Sequence, residues 1–176
     1  VLNKTIDDRI MRFKDKVVLV TGSSQGIGAE IVAQFASEGA KVIINYKSNK
    51  EKATNLHSSI DSNDNSLLVK ADISNFDEVD SMFKKILDYF GGIDILVNNA
   101  AIYKDSTIWN MDERTWKDII DTDLNGAFNC TKFASKIMRE SNFGRIINIS
   151  SVVGQTSSFG TSNYAAAKAG LLGFTR

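Results

Sequence analysis

The chain has 176 residues, 43% hydrophobic and 24% charged, with 21 basic side chains balancing 21 acidic ones. The zero net charge excludes a nucleic-acid binder that works by bulk phosphate attraction. The one cysteine excludes an internal disulfide and suits a reducing, cytoplasmic setting, and with one histidine it excludes an ordinary zinc site.

No apolar run approaches the ~20 residues of a membrane span. The opening VLNKTIDDRI lacks the apolar stretch of a signal peptide. Residues 1–12 are polar and mixed in charge and read as a lead-in; residues 13–176 read as one domain without repeats or linkers. Residues 16–21 (KVVLVT) form a short β-branched run, the pattern of a buried strand. A glycine-rich turn follows, then helical spacing over 29–39 with Ile31, Val32, Phe35 and Ala36 on one face. Gly39 suits the position just past the helix end. A second strand is predicted at 41–46, a polar helix at 50–62 and a third strand at 66–71. The amphipathic stretch 77–90 reads as a helix capped by Ser74 or Asn75 and ended by Gly91-Gly92. Then come a strand at 93–97, one long helix over 112–140 with Asp112 at its start, a strand at 145–149 and a last helix from 162. Strands alternating with helices predict an α/β fold, a doubly wound parallel sheet of Rossmann type with five strands. Proline is absent, where average usage near 5% would give roughly nine.

A strand opening into Gly22-x-x-x-Gly26-x-Gly28 and then a helix is a dinucleotide-binding arrangement. Glycines permit close backbone approach to a pyrophosphate, and the helix N-terminus offers unpaired N–H groups. Gly22, Ser24, Gln25, Gly26, Ile27 and Gly28 are the candidate phosphate cradle. The end of the second strand reads Asn45-Tyr46-Lys47-Ser48. It carries no acid for a ribose hydroxyl, and Lys47 stands where a 2′-phosphate would lie, so Tyr46 and Lys47 are candidate contacts and NADP(H) is favoured over NAD(H). Tyr164 and Lys168 are four residues apart on one face of the last helix, and an ammonium beside a phenol favours the phenolate that general acid–base chemistry needs. Ser150 and Ser151 end the preceding strand, on the ligand side of such a sheet.

Together these residues resemble the short-chain dehydrogenase/reductase family over residues 13–176. The strings that carry it are TGSSQGIG, ADIS, NNAA, DLNGAFN, NISSVVG and YAAAK. The resemblance implies strand order 3-2-1-4-5, Asp72 and Ile73 on the adenine side of the cofactor, and Asn98 and Ala100 lining its trough. It implies Asn125, Ser151, Tyr164 and Lys168 as the catalytic set. Ser151 would bond the substrate oxygen, Tyr164 would donate the proton, Lys168 would hold the nicotinamide ribose, and Asn125 would hold a water. Ala101 stands where the family usually has glycine, and Gln25 where many NADP-dependent members carry a basic residue. GRIINISSVVG and NYAAAKAGLLGFTR look most like 3-oxoacyl-acyl-carrier-protein reductases, although Asn142 replaces a basic residue found in some of them. A sugar, steroid or small-alcohol dehydrogenase of the same family, or a non-catalytic dinucleotide-binding fragment, stays open. The expected partners are a small-molecule or acyl-thioester substrate and further copies of the chain, as a dimer or tetramer, with no metal, nucleic acid or membrane. Family members continue for roughly another third, so the sequence reads as part of a longer enzyme. Cys130 reads as a packed hydrophobe, His57 as a surface residue, and Trp109 and Trp116 as helix packing or a substrate wall.

Overall fold

The computed structural model describes residues 11–60, 64–156 and 158–176, so most of the lead-in and the last residues of the 50–62 helix lie outside the described residues. Five parallel strands, β1 (Val17–Val20), β2 (Lys41–Tyr46), β3 (Ser66–Lys70), β4 (Ile95–Asn98) and β5 (Arg145–Asn148), form one sheet in the order β3-β2-β1-β4-β5. Between them run α1 (Gly26–Ser37), α2 (Lys50–Ile60), α3 (Phe76–Phe90), α4 (Glu113–Ile120) and α5 (Gly126–Glu140); α6 (Val153–Thr156) and α7 (Ser162–Thr175) follow β5. This is the expected Rossmann-like α/β architecture.

The pleat divides the core. Leu19, Ile43 and Leu96 face α3 and α5, packing with Met82, Phe83, Ile86 and Cys130. Val18, Val20, Val42, Ile44 and Val97 face α1 and α2, packing with Val32 and Ala53. Helices on both faces explain why β1 and β4 read as continuous apolar runs rather than alternating ones. Val18 pairs with Val42 on one side and Ile95 on the other, so all strands end along one sheet edge. The order reverses between β1 and β4, and there the crevice opens.

Local signals account for most boundaries. Asn75 caps α3 by accepting from the Asp77 and Glu78 amides, and left-handed Gly91 ends it. Asp112 caps α4 by accepting from the Thr115 amide. The expected 112–140 helix is continuous but not uniform: residues Asp121–Asn125 form a π-helical turn between α4 and α5. The wider turn carries both Thr122 and Asp123 inward. α6 has no counterpart among the sequence-predicted elements. β5, an apolar run suited to a sheet centre, lies at an edge with Arg145 and Ile147 exposed.

Candidate active site

A cleft of about 410 Å³ opens where the ends of β1, β2, β3 and β4 meet the start of α1. Gly22, Ser24, Gln25, Gly26, Ile27 and Gly28 line it on one side. Tyr46, Lys47, Asp72, Ile73 and Ala100 line it on the others, joined by Asn45, Asn99 and Thr122. A Cβ on Gly28 would stand 2.5 Å from Asn99 Nδ2 and 2.9 Å from the Gly22 carbonyl oxygen, so only glycine lets helix and loop close this tightly. Gln25 precedes α1 in an extended conformation and gives it no side-chain cap. The first amides of α1 therefore face the cleft unpaired, a cradle suited to phosphate.

The loop is held by neutral hydrogen bonds. Asn45 accepts from the Gly22 amide through Oδ1 and donates to the Ala71 carbonyl through Nδ2. Ser23 Oγ donates to the Val20 carbonyl and accepts from the Asn45 amide. Thr21 Oγ1 accepts from the amides of Asn99 and Ala100, and Asn99 Nδ2 donates back to the Thr21 carbonyl. Asn99 thus clasps β1 to β4 and lines the cleft, whereas Asn98 does not line it. Asn98 is buried, and its Nδ2 donates to Thr131 Oγ1 and Asn148 Oδ1, tying β4 to α5 and β5. The Asn98 and Asn99 side chains thus lie on opposite sides, as successive strand residues do.

At the cleft mouth Lys47 Nζ lies 2.6 Å from Asp72 Oδ2. Partial burial pushes the Asp72 carboxyl up, but bonds from Lys47 and Ser74 outweigh it and hold it below the usual range. Lys52 Nζ donates to Gln25 Oε1 at 2.7 Å, bringing an ammonium to the position where the sequence has a neutral side chain.

The far end of the site is built by α7. Tyr164 is half-buried, its ring edge-on to Tyr103 at 5.0 Å between centroids. Lys168 is buried, with Nζ 5.5 Å from the Tyr164 ring centroid and donating to the Ile149 carbonyl at 3.1 Å. The two serines are held differently. Ser150 Oγ donates to the Lys168 carbonyl, while Ser151 Oγ accepts from the Val153 amide and keeps its own proton free of that bond. Gly154 makes this packing possible, since a Cβ there would stand 2.7 Å from the Lys168 backbone.

Asn125 is not part of this cluster. It is exposed and donates to Asp121 one turn back on the solvent side. The residue that the π-helical turn points at Lys168 is Asp123, with Oδ2 at 3.5 Å from Nζ and both side chains almost wholly buried. Asp123 Oδ1 accepts from the Ile102 amide at 2.8 Å. Burial pushes the Asp123 carboxyl up and the Lys168 ammonium down, each opposed by the other's charge. Burial also pushes the Cys130 thiol up to about 12, in keeping with a packed rather than reactive side chain. Trp109 is mostly exposed, so the packing reading does not hold for it in this chain.

The family model described as short chain dehydrogenase matches residues 16–176. The chain belongs to the short-chain dehydrogenase family. It is 44% identical over 162 residues to the 3-oxoacyl-[acyl-carrier-protein] reductase FabG of Staphylococcus aureus (strain Mu50), covering 92% of this chain and 66% of that protein. A reductase of the same name from Staphylococcus epidermidis is 42% identical over 163 residues, covering 92% and 67%. A 3-oxoacyl-[acyl-carrier-protein] reductase of Synechocystis sp. is 44% identical over 162 residues, covering 92% and 66%. The chain thus spans about two thirds of the length of the curated relatives it matches.

Sequence reasoning missed Asp123, Asn99, Asn45 and Lys52. Asp123 was visible in one respect. It sits on the stripe Ile119, Asp123, Ala127, Cys130, Ala134, an acid at helical spacing among residues that are all buried. Asn45 and Asn99 end strands, where any polar residue is unremarkable until the strands are placed side by side.

Proposed function

We propose that this chain is the cofactor-binding and proton-transfer part of an NADP(H)-dependent carbonyl reductase whose substrate is a 3-oxoacyl thioester. The observation that carries the reading is the placement on one sheet edge of an uncapped helix N-terminus above a glycine turn and the Tyr164–Lys168 pair. Gly26, Ile27 and Gly28 would hold the pyrophosphate, Asp72 and Ile73 the adenine side, and Ala100 the trough after β4. Lys47, with Lys52 beside Gln25, supports NADP(H) over NAD(H), because two ammonium groups stand at the mouth where a 2′-phosphate would lie. The dinucleotide, when bound, supplies the hydride. Tyr164 Oη gives its proton to the substrate oxygen, Ser151 Oγ hydrogen-bonds the same oxygen, and the Lys168 ammonium stabilises the phenolate left behind. The names of the relatives support the thioester class. Assembly of like subunits through α4 and α5 belongs to the same reading, supported by the exposed Trp116 and Phe128 on those helices. A cytoplasmic setting suits the free, buried Cys130.

The test is NADPH-dependent reduction of acetoacetyl-coenzyme A by the full-length protein and its Tyr164→Phe variant. The expected result is turnover in the parent and a loss of about 10²–10⁴-fold in the variant, with NADPH binding retained. Equal turnover in both would overturn the role of Tyr164. Reduction of simple ketones without reduction of the thioester would overturn the substrate class alone.

A further inference from the structure

Asp72 and Ile73 both line the cleft, yet they are held by different elements. The chain around Ile73 is fixed locally. The Ala71 carbonyl accepts from Asn45 Nδ2 near the end of β2, and the Asp72 amide donates to Glu78 Oε2 of α3. The Asp72 carboxylate accepts from the Ser74 amide and hydroxyl. The Ile73 carbonyl instead accepts from Asn129 Nδ2 of α5, at 3.0 Å. Among the described residues that is the one hydrogen bond this carbonyl receives.

The start of α5 is shaped for this meeting. Gly126, Asn129 and Phe133 lie at i, i+3 and i+7, on one helix face. Phe133 packs on Phe76 and Phe83 of α3, with ring centroids 5.0 and 5.7 Å away, and sets α5 against that helix. A Cβ on Gly126 would stand 2.6 Å from Ile73 Cδ1 and 2.7 Å from Cγ1, so the bare Cα of Gly126 is the seat of the isoleucine. Asn129 is buried, and burying an amide costs free energy unless it is bonded. An apolar side chain would pack this face without that cost. The amide's use is on Ile73, a residue that lines the cleft, while Asn129 itself does not line it.

We infer that Asn129 is a positioning residue for the nucleotide: from α5 it fixes the Ile73 carbonyl, and with Gly126 it sets where the wall formed by Asp72 and Ile73 stands. The inference rests on the proposed reading of that wall as the adenine side of the dinucleotide. The test is calorimetric binding of 2′,5′-ADP, the adenine half of NADPH, and of NADPH itself, to the full-length protein and to Asn129→Leu, an apolar side chain of similar size. Without the donor the Ile73 carbonyl is left buried and unpaired, and the segment shifts toward another partner. The expected result is that both ligands weaken by the same factor, about ten-fold, which is roughly one hydrogen bond's worth of binding free energy. In steady-state reduction of acetoacetyl-coenzyme A the loss appears in the KM for NADPH and not in kcat. A residue that only stabilised the fold would lower the melting temperature and leave both affinities as in the parent, and that result overturns the inference. Should Asn129→Leu fail to fold, Gly126→Ala decides. It keeps the Asn129 donor and pushes the Ile73 side chain from its seat. The same parallel loss of 2′,5′-ADP and NADPH affinity is expected, and unchanged affinities overturn the inference. A parent that binds neither ligand overturns the proposed function and this inference together, whereas a parent and variants that bind both equally well overturn this inference alone.

Discussion

The two ends of the site are held together by different physics. At the glycine turn, Thr21, Ser23, Asn45 and Asn99 form a closed set of neutral hydrogen bonds between strand ends. At α7, a buried ammonium and a buried carboxylate face each other at 3.5 Å. Neutral networks set shape and respond little to pH, whereas a buried pair makes its region depend on which groups are charged. On the proposed reading the glycine-turn end is a preformed cradle for the nucleotide, and the Tyr164 end is the part that protonation governs.

The loss of turnover in Tyr164→Phe is the largest effect expected, and it leaves the nucleotide end untouched. Gly28→Ala breaks the comparison from the other side. Its methyl would meet Asn99 Nδ2 and the Gly22 carbonyl, an overpacking that costs about 1–3 kcal/mol. Calorimetry should find nucleotide affinity lowered with the pH profile of any remaining turnover unchanged. Asn99→Ala removes the donor to the Thr21 carbonyl inside the neutral network and should lower stability by about 1–3 kcal/mol, read by urea denaturation. Lys47→Ala acts at an exposed side chain, so NADPH affinity should fall by only roughly five-fold, with NADH affinity unchanged. Asn125→Ala is the smallest: it loses one exposed bond to Asp121 and should change stability by no more than about 0.5 kcal/mol.

The nucleotide end was legible in the sequence because its devices are local. A strand, three glycines and a helix start within 13 residues prescribe a cradle without knowledge of distant contacts. Alternation gave the parallel α/β sheet, and the order of its five strands followed from the resemblance carried by strings such as TGSSQGIG and YAAAK. The α7 end was legible only in part. Tyr164 and Lys168 share a helix face and could be paired from spacing, but their neighbour comes from another element 45 residues before Lys168. The asparagine in DLNG stood out only through the family resemblance, and regular spacing across 112–140 gave no sign of the π-helical turn. Within that turn Thr122 and Asp123 are both buried while Asn125 faces water. Asn98 and Asn99 differ for a simpler reason: adjacent residues at a strand end project to opposite sides, and the sequence alone does not say which side is the cleft.

The most direct test of the account is a fluorescence titration of NADPH, and separately NADH, into the protein. The account predicts saturable binding of both, with NADPH tighter and its advantage lost in Lys47→Ala. Saturable binding with NADH tighter would contradict the 2′-phosphate role of Lys47 and Lys52. No saturable binding of either nucleotide would contradict the central claim that the glycine turn and the uncapped start of α1 form a dinucleotide cradle.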